Sequence, residues 1–470
     1  MAAAGAGAVT TPEELYNSHG YSCTRAGGAP SWSCLPLADA TLSIARTGVK
    51  ENPPPGVART GLLRKLASTL MTVFVRRERQ RASCKERHDS MVITKFAIPD
   101  IIFGSGSLTH LGSCARRLGA RRVFFVSDQG LAASGWVDRV LEILDDDHLD
   151  CIFYDNVNSN PRDYQVHEGA EIYVREKADV IIALGGGSPM DAAKGIGLIV
   201  GNGGRISDYE GANRVEKPLP PMIFIPSTAG SGSDISQFCI ITDVERQVKM
   251  SIISRTMVPN ISVIDPEILL TKSQGLIIAS AIDALAHAVE SYLSPLSSPF
   301  TEIQALRAIE LFMANILPAA QNKDPHALHQ LSIASTAAGM SFSNAGLGIL
   351  HSLAHSLGGI YDVLHGMVHP ILLPSVMRFN LPSCMDKMAR IGSQILGRDE
   401  VTPQRTAVAG IDALEKLFQQ LNVITSLREV LLDKAYLESI CQTATQDACQ
   451  LTNPRHASWE DLRDICEEAW

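Results

Sequence analysis

None of the ten cysteines of this 470-residue chain stands in a C-x-x-C pair. Scattered from Cys23 to Cys466, they trace neither a zinc ribbon nor a disulfide framework, and they read as reduced thiols. A basic excess is also missing: 41 lysines and arginines face 50 aspartates and glutamates, for a net charge of -9. Phosphate backbones are held by clustered cations, so no nucleic-acid partner is expected. No apolar run reaches the roughly 18 to 20 residues of a membrane span, so no membrane is expected either. The nearest run, "LLRKLASTLMTVFVRRERQR", is broken by Arg64, Lys65 and a basic cluster from Arg76. Small, neutral or weakly charged ligands remain. The chain is too long for one hydrophobic core, which points to two domains.

Residues 1–92 are rich in Ala, Gly, Ser and Pro, with "NPPPG" at 52–56. Such composition rarely buries enough apolar surface to offset chain entropy. The segment is therefore expected to be a disordered extension, with room for a short helix near 58–82. It could be a regulatory tail, a targeting peptide or a stretch upstream of the true start. Glu13, Glu14 and Asp39 count against mitochondrial targeting. The expected location is the cytoplasm, or the mitochondrial matrix if the extension is a targeting peptide.

From residue 93 the pattern changes. "RRVFFVSD", "ADVIIALGGGS", "PMIFIPSTAGSGS" and "ISVIDP" are short apolar runs ending in glycines or polar turns. Helix-like stretches at 131–147 and 163–177 lie between them. Runs too apolar for a half-exposed strand, alternating with helices, predict a buried parallel sheet. After Asp265–Pro266 the spacing turns helical and stays so. The reading is an α/β domain over 93–268 followed by an all-helical domain over 269–470.

Two loops in the first half suit a phosphate. "ALGGGSPMDAAKGIG" (183–197) puts glycines between a strand and a helix start, where backbone N–H groups and the helix dipole favour an anion. A tight turn needs glycine anyway, so this loop alone leaves the point open. "PSTAGSGSD" (226–234) offers hydroxyls and glycines at the end of another strand. Two such loops at the carboxyl ends of parallel strands would face one crevice. Asp128, after "VFFV", is placed either to bind a ribose hydroxyl or to cap a helix.

In the second half, "SAIDALAHAVESYLS" (280–294) sets Asp283 and His287 at i and i+4, on one helix face. His351 and His355 repeat that spacing in "HSLAHSLGGIYDVLHGMVHP", which also carries His365 and His369. Asp283 with two or three of these histidines makes a mixed oxygen and nitrogen donor set, suited to Fe2+, Zn2+ or a similar ion. Polar packing between helices is the alternative, but it would leave a carboxylate unpaired in an apolar helix, which is costly.

Together, the glycine loop with Asp191 and Lys194, "PSTAGSGSD", "AIDALAHAVESY" and "HSLAHSLGGIYDVLHG" resemble the iron-containing (group III) alcohol dehydrogenases, which share their fold with glycerol dehydrogenase and dehydroquinate synthase. The likeness runs from about Phe96 to "TNPR" and "WEDL" near the end. It implies a Rossmann-like parallel-sheet domain, then an all-helical domain, with the active site in the cleft between them. The resemblance assigns the metal to Asp283, His287, His351 and His365, and places His355 near the nicotinamide with a part in proton transfer. Asp128 would read the adenosine ribose of NAD, and Asn160 and Lys249 would contact the cofactor. Gly186, Gly187, Ser188 and Asp191 would take the pyrophosphate, with Ser227, Thr228 and Ser231 in the second loop. Fe2+ is the family's metal, and Zn2+ also suits the set.

Two departures stand out. Ser227, Ser231 and Asp234 replace threonines and a glutamate, which preserves the chemistry. His369 stands where the family commonly has Asn, a position that packs, or that alters the surroundings of the metal ligands. The implied activity is hydride transfer between a small alcohol or aldehyde and NAD, in a homo-oligomer such as a dimer. A hydroxyacid–oxoacid transhydrogenase on the same fold is the nearest alternative. A synthase fits less well, since its metal set begins with Glu where this chain has Asp283. A nucleotide-binding regulatory protein with little turnover is the alternative from another class. The alcohol itself is not legible.

Overall fold

The computed structural model describes residues 95–470 apart from Asp362, Leu364 and Leu432. The expected disordered extension over 1–92, with its short helix, lies outside the described residues. In chain order the first half runs β1 (Asp100–Phe103), α1 (Leu111–Arg117), β2 (Arg122–Val126), α2 (Gln129–Ala132), α3 (Trp136–Asp146), β3 (Asp150–Tyr154), α4 (Asp163–Arg175), β4 (Val180–Gly185) and α5 (Gly187–Asn202). It continues through β5 (Gly211–Ala212), β6 (Met222–Pro226), β7 (Phe238–Asp243), β8 (Val248–Ile253) and β9 (Ile261–Ile264).

Six strands form one sheet in the order β1-β9-β6-β4-β2-β3, every pair parallel. The apolar runs explain why it is buried on both sides. Side chains alternate across a strand, so Phe124, Ile181 and Phe224 pack under α4 and α5. Phe125, Ile182 and Ile223 pack under α1 and α3 on the opposite face. All six are fully buried. From β2 the chain passes to β3 on one side and then to β4 on the other. That reversal places the switch-point crevice at the carboxyl ends of β2 and β4.

A second, three-stranded sheet, β5-β8-β7, was not anticipated by the parallel-sheet reading. Its β7 and β8 are antiparallel, registering Cys239 with Ile252 and Ile241 with Met250. Those four side chains join the core beneath α5. In "VKMSII" the apolar Met250 and Ile252 alternate with the polar Lys249 and Ser251, a pattern that fits such a hairpin better than a doubly covered strand.

The second half is helical: α6 (Gln274–Leu293), α7 (Pro299–Asn322), α8 (Pro325–Ala345), α9 (Ile349–Tyr361), α10 (His365–Asn380), α11 (Met385–Leu396), α12 (Pro403–Gln420), α13 (Leu437–Ala444) and α14 (Trp459–Glu468). Starts are written into the sequence. Ser298, Asp324 and Thr402 cap α7, α8 and α12 with their side-chain oxygens, and each is followed by a proline in the first turn. That pairing satisfies open N–H groups and fixes a helical φ.

By length and composition, α6 and α7 reach the dimensions of a membrane span, which corrects the expectation that no run does. Of the apolar window in α6, 83% is buried inside the fold. It is the central helix of the domain, packed on α7, α8 and α10.

Candidate functional site

Helix α6 carries Asp283, His287 and Glu290 at i, i+4 and i+7, so all three lie on one face. Helix α9 brings His351 and His355, and α10 opens with His365 and carries His369 one turn later. Asp283 Oδ1 is the centre of this cluster. The Nε2 atoms of His287, His351, His365 and His369 stand 3.7, 3.7, 3.9 and 3.6 Å from it. These separations are too long for hydrogen bonds, and Asp283 Oδ1 has no hydrogen-bond partner. One donor atom each from Asp283, His351, His365 and His369 fall within 4.8 Å of one another, a group that takes in His369 and leaves out His287, which the resemblance assigns to the metal. A buried carboxylate oxygen ringed by imidazole nitrogens, several of them unpartnered, fits a divalent cation far better than an empty core.

The candidate ligands are held from behind. His351 Nδ1 lies 2.5 Å from Glu290 Oε2, while Glu290 Oε1 accepts from the Leu350 N–H at 2.8 Å. This fixes the proton on Nδ1 and turns Nε2 toward Asp283. Burial opposes charge on Asp283, yet the surrounding histidines hold its carboxyl well below the usual carboxylate range. Burial presses His287 down to about 4 and His369 to about 3, and lowers His365 as well. His351 goes the other way. Burial opposes its charge, but Glu290 and Asp283 raise it to about 9. A cation arriving there displaces the proton on Nε2.

A second group adjoins the first. His355 Nδ1 is 2.8 Å from Asp447 Oδ2, and Asp447 Oδ1 accepts from the Cys449 N–H at 2.8 Å. Asp447, His355 and Cys449 could together offer three donors. Burial, however, pushes the Cys449 thiol well up, which disfavours the thiolate that a cation would need. Burial works against the Asp447 charge too, but the adjacent His355 holds that carboxyl at about 2.

Both groups open on a cavity of about 710 Å3 between the sheet domain and the helices. Its helical wall includes Asp283, His287, His351, His355 and His365. Across from them stand Gly186, Gly187, Ser188 and Asp191, with Thr228 and Ser231 of the second loop. Asn160 and Lys249 complete that side, and the Asn160 N–H donates to Ser188 Oγ at 3.2 Å. The two loops abut: a Cβ on Gly187 would lie 3.3 Å from Ser231 Cβ.

Two expected cofactor positions do not line this cavity. Asp128 caps α2, accepting from the Leu131 N–H at 2.9 Å, so the capping alternative describes its contact. Ser227 is buried behind the wall, its N–H bonded to Gly185 O at 2.7 Å. Of the residues not singled out from sequence, Glu290 was readable as the i+7 position on the Asp283 face. Asp447 carried no such signal. His369, expected to pack or to alter the ligand surroundings, reaches the centre of the cluster.

A parallel sheet domain and a helical domain, sharing one cleft with an Asp and His cluster on its helical wall, define a two-domain metalloprotein. Comparison with known proteins agrees. The family "Iron-containing alcohol dehydrogenase" matches residues 99–266, and "Fe-containing alcohol dehydrogenase family, C-terminal" matches 277–470. An NAD-dependent methanol dehydrogenase of Bacillus methanolicus is 35% identical over 382 residues, 80% of this chain and all of that protein. A 1,3-propanediol dehydrogenase of Citrobacter freundii is 34% identical over 80% of this chain and 98% of its own. The crystal structure of a 1,3-propanediol oxidoreductase superposes with a TM-score of 0.78 at 32% identity, covering 81% of this chain and all of that one. The chain belongs to the iron-containing alcohol dehydrogenase family.

Proposed function

We propose that the chain is a metal-dependent oxidoreductase that transfers hydride between a small alcohol and NAD, interconverting alcohol and aldehyde. The observation that carries this reading is the convergence of the His287, His351 and His365 Nε2 atoms on Asp283 Oδ1, at the wall of the cavity that also holds both glycine loops. The relatives' printed activities, on methanol and 1,3-propanediol, support short alcohols as the substrate class.

The N-terminus of α5 starts at Gly187, with Gly186 as its cap residue and no side chain competing for the first-turn N–H groups. Those donors and the helix dipole suit the pyrophosphate of NAD. Asp283, His287, His351 and His365 would hold Fe2+, and the same donors accept Zn2+. When bound, the cation supplies Lewis acidity toward the substrate oxygen. The His355 Nδ1–H donates a hydrogen bond to Asp447 Oδ2, which leaves Nε2 to accept the proton that the alcohol gives up.

The test couples metal content to NADH formation on a panel of short alcohols, before and after chelation. Activity that falls with the metal and returns on adding Fe2+ supports the reading. Full turnover in metal-free protein overturns it. Reduced cofactor that forms but never leaves the protein would point instead to the transhydrogenase.

A further inference from the structure

Residues 365 and 369 repeat, on α10, the i, i+4 spacing that pairs Asp283 with His287 on α6 and His351 with His355 on α9. The proposed function uses the first member of the α10 pair and leaves the second without a role. His369 is not a bystander in geometry. Its side chain is 0% exposed, and its Nε2, at 3.6 Å, is nearer to Asp283 Oδ1 than any other imidazole nitrogen of the cluster. Its ring centre lies 4.8 Å from that of His351 and 4.7 Å from that of His365.

Neither ring nitrogen of His369 has a hydrogen-bond partner. Packing alone does not account for this, since a buried polar ring with both nitrogens unsatisfied is costly. A donor to a cation satisfies one of them.

We propose that His369 is an additional protein ligand of the metal, giving a set of one carboxylate and four imidazoles. This inference rests on the metal site of the proposed function. His369 is absent from the cavity wall, unlike His287, His351 and His365. It therefore approaches from behind and leaves the cavity side open to substrate. A fourth imidazole makes the site richer in nitrogen, which favours Fe2+, Co2+ or Zn2+ over Mg2+ and Ca2+.

The experiment uses full-length protein and its His369→Asn variant, each loaded with Co2+ and separately with Fe2+. Visible absorption of the Co2+ forms reports coordination number. The wild type should show the weak bands of a site with five or more ligands, and the variant bands severalfold stronger as coordination falls. X-ray absorption of the Fe2+-loaded proteins should count four imidazoles in the wild type and one fewer in the variant. Metal affinity should fall more than 10-fold in the variant, but loss of an outer-shell partner could do the same, so the spectra decide. An imidazole count that is the same in wild type and variant, or identical Co2+ spectra for both proteins, overturns the role of His369 and leaves the proposed function standing. A wild type that takes up neither metal overturns both.

Discussion

Glu290 Oε2 and His351 Nδ1 stand 2.5 Å apart in a buried interface between α6 and α9. The same carboxylate takes the Leu350 N–H with its other oxygen, so one side chain both seats the start of α9 and aims the proposed metal ligand His351. Removing it frees the His351 ring to rotate and change tautomer. Glu290→Ala should weaken metal binding roughly 10- to 100-fold, while Glu290→Gln, which keeps an acceptor, should lose less. Competition with a chromogenic chelator measures both. Equal affinities for wild type and the Ala variant would remove this orienting role.

His355 lies one turn beyond His351, but its Nδ1 is engaged by Asp447, and the role proposed for it is with protons. His355→Ala should therefore lower kcat by roughly a hundred- to ten-thousand-fold with metal content unchanged. Steady-state rates and metal analysis on the same preparation separate the two effects. Loss of the metal along with activity would place His355 among the ligands instead.

What the sequence disclosed and what it hid follow from distance along the chain. Asp283 with His287 and His351 with His355 are local pairs, readable from helical spacing alone. Apolar runs such as "VIIALG" announced strands buried on both faces, and the sheet confirmed them. The link between His355 and Asp447 spans 92 positions, and Asp447 caps a short 3-10 turn with no periodic pattern to mark it. His369 looked like a substitution at a packing position, because spacing does not say which side of α10 meets α6. Asp128 was legible in type but ambiguous in role. The same carboxylate suits a ribose or a helix cap, and here it caps.

Asp447 also makes acid stability testable. Its carboxyl is held at about 2, with burial opposing its charge and His355 outweighing that burial. An unfolded aspartate titrates near 3.9. A group depressed on folding stabilises above its unfolded value, and that stability is lost as pH falls from about 4 to about 2. Asp447→Asn should thus unfold more easily at neutral pH by on the order of 2 kcal/mol. The difference should shrink as pH drops below about 4. Urea unfolding of both proteins from pH 7 downward gives the profile. A gap that stays constant into acid would mean that the loss comes from packing rather than charge.

The second loop is seated on α6 at Gly230, where any Cβ would lie 2.6 Å from the Ser280 carbonyl oxygen and 2.8 Å from its Cα. Both contacts are to helix backbone, which cannot swing aside as a flexible side chain can. Gly230→Ala must therefore lift the loop from α6 or push the helix, and overpacking of this kind costs roughly 1–3 kcal/mol. Thr228 and Ser231 flank Gly230 and line the cavity, so the displacement should reach the nucleotide. The expected outcome is a raised KM for NAD and a lowered urea midpoint. An unaltered KM for NAD would detach this loop from cofactor binding, since the variant moves the loop while leaving its hydroxyls in place.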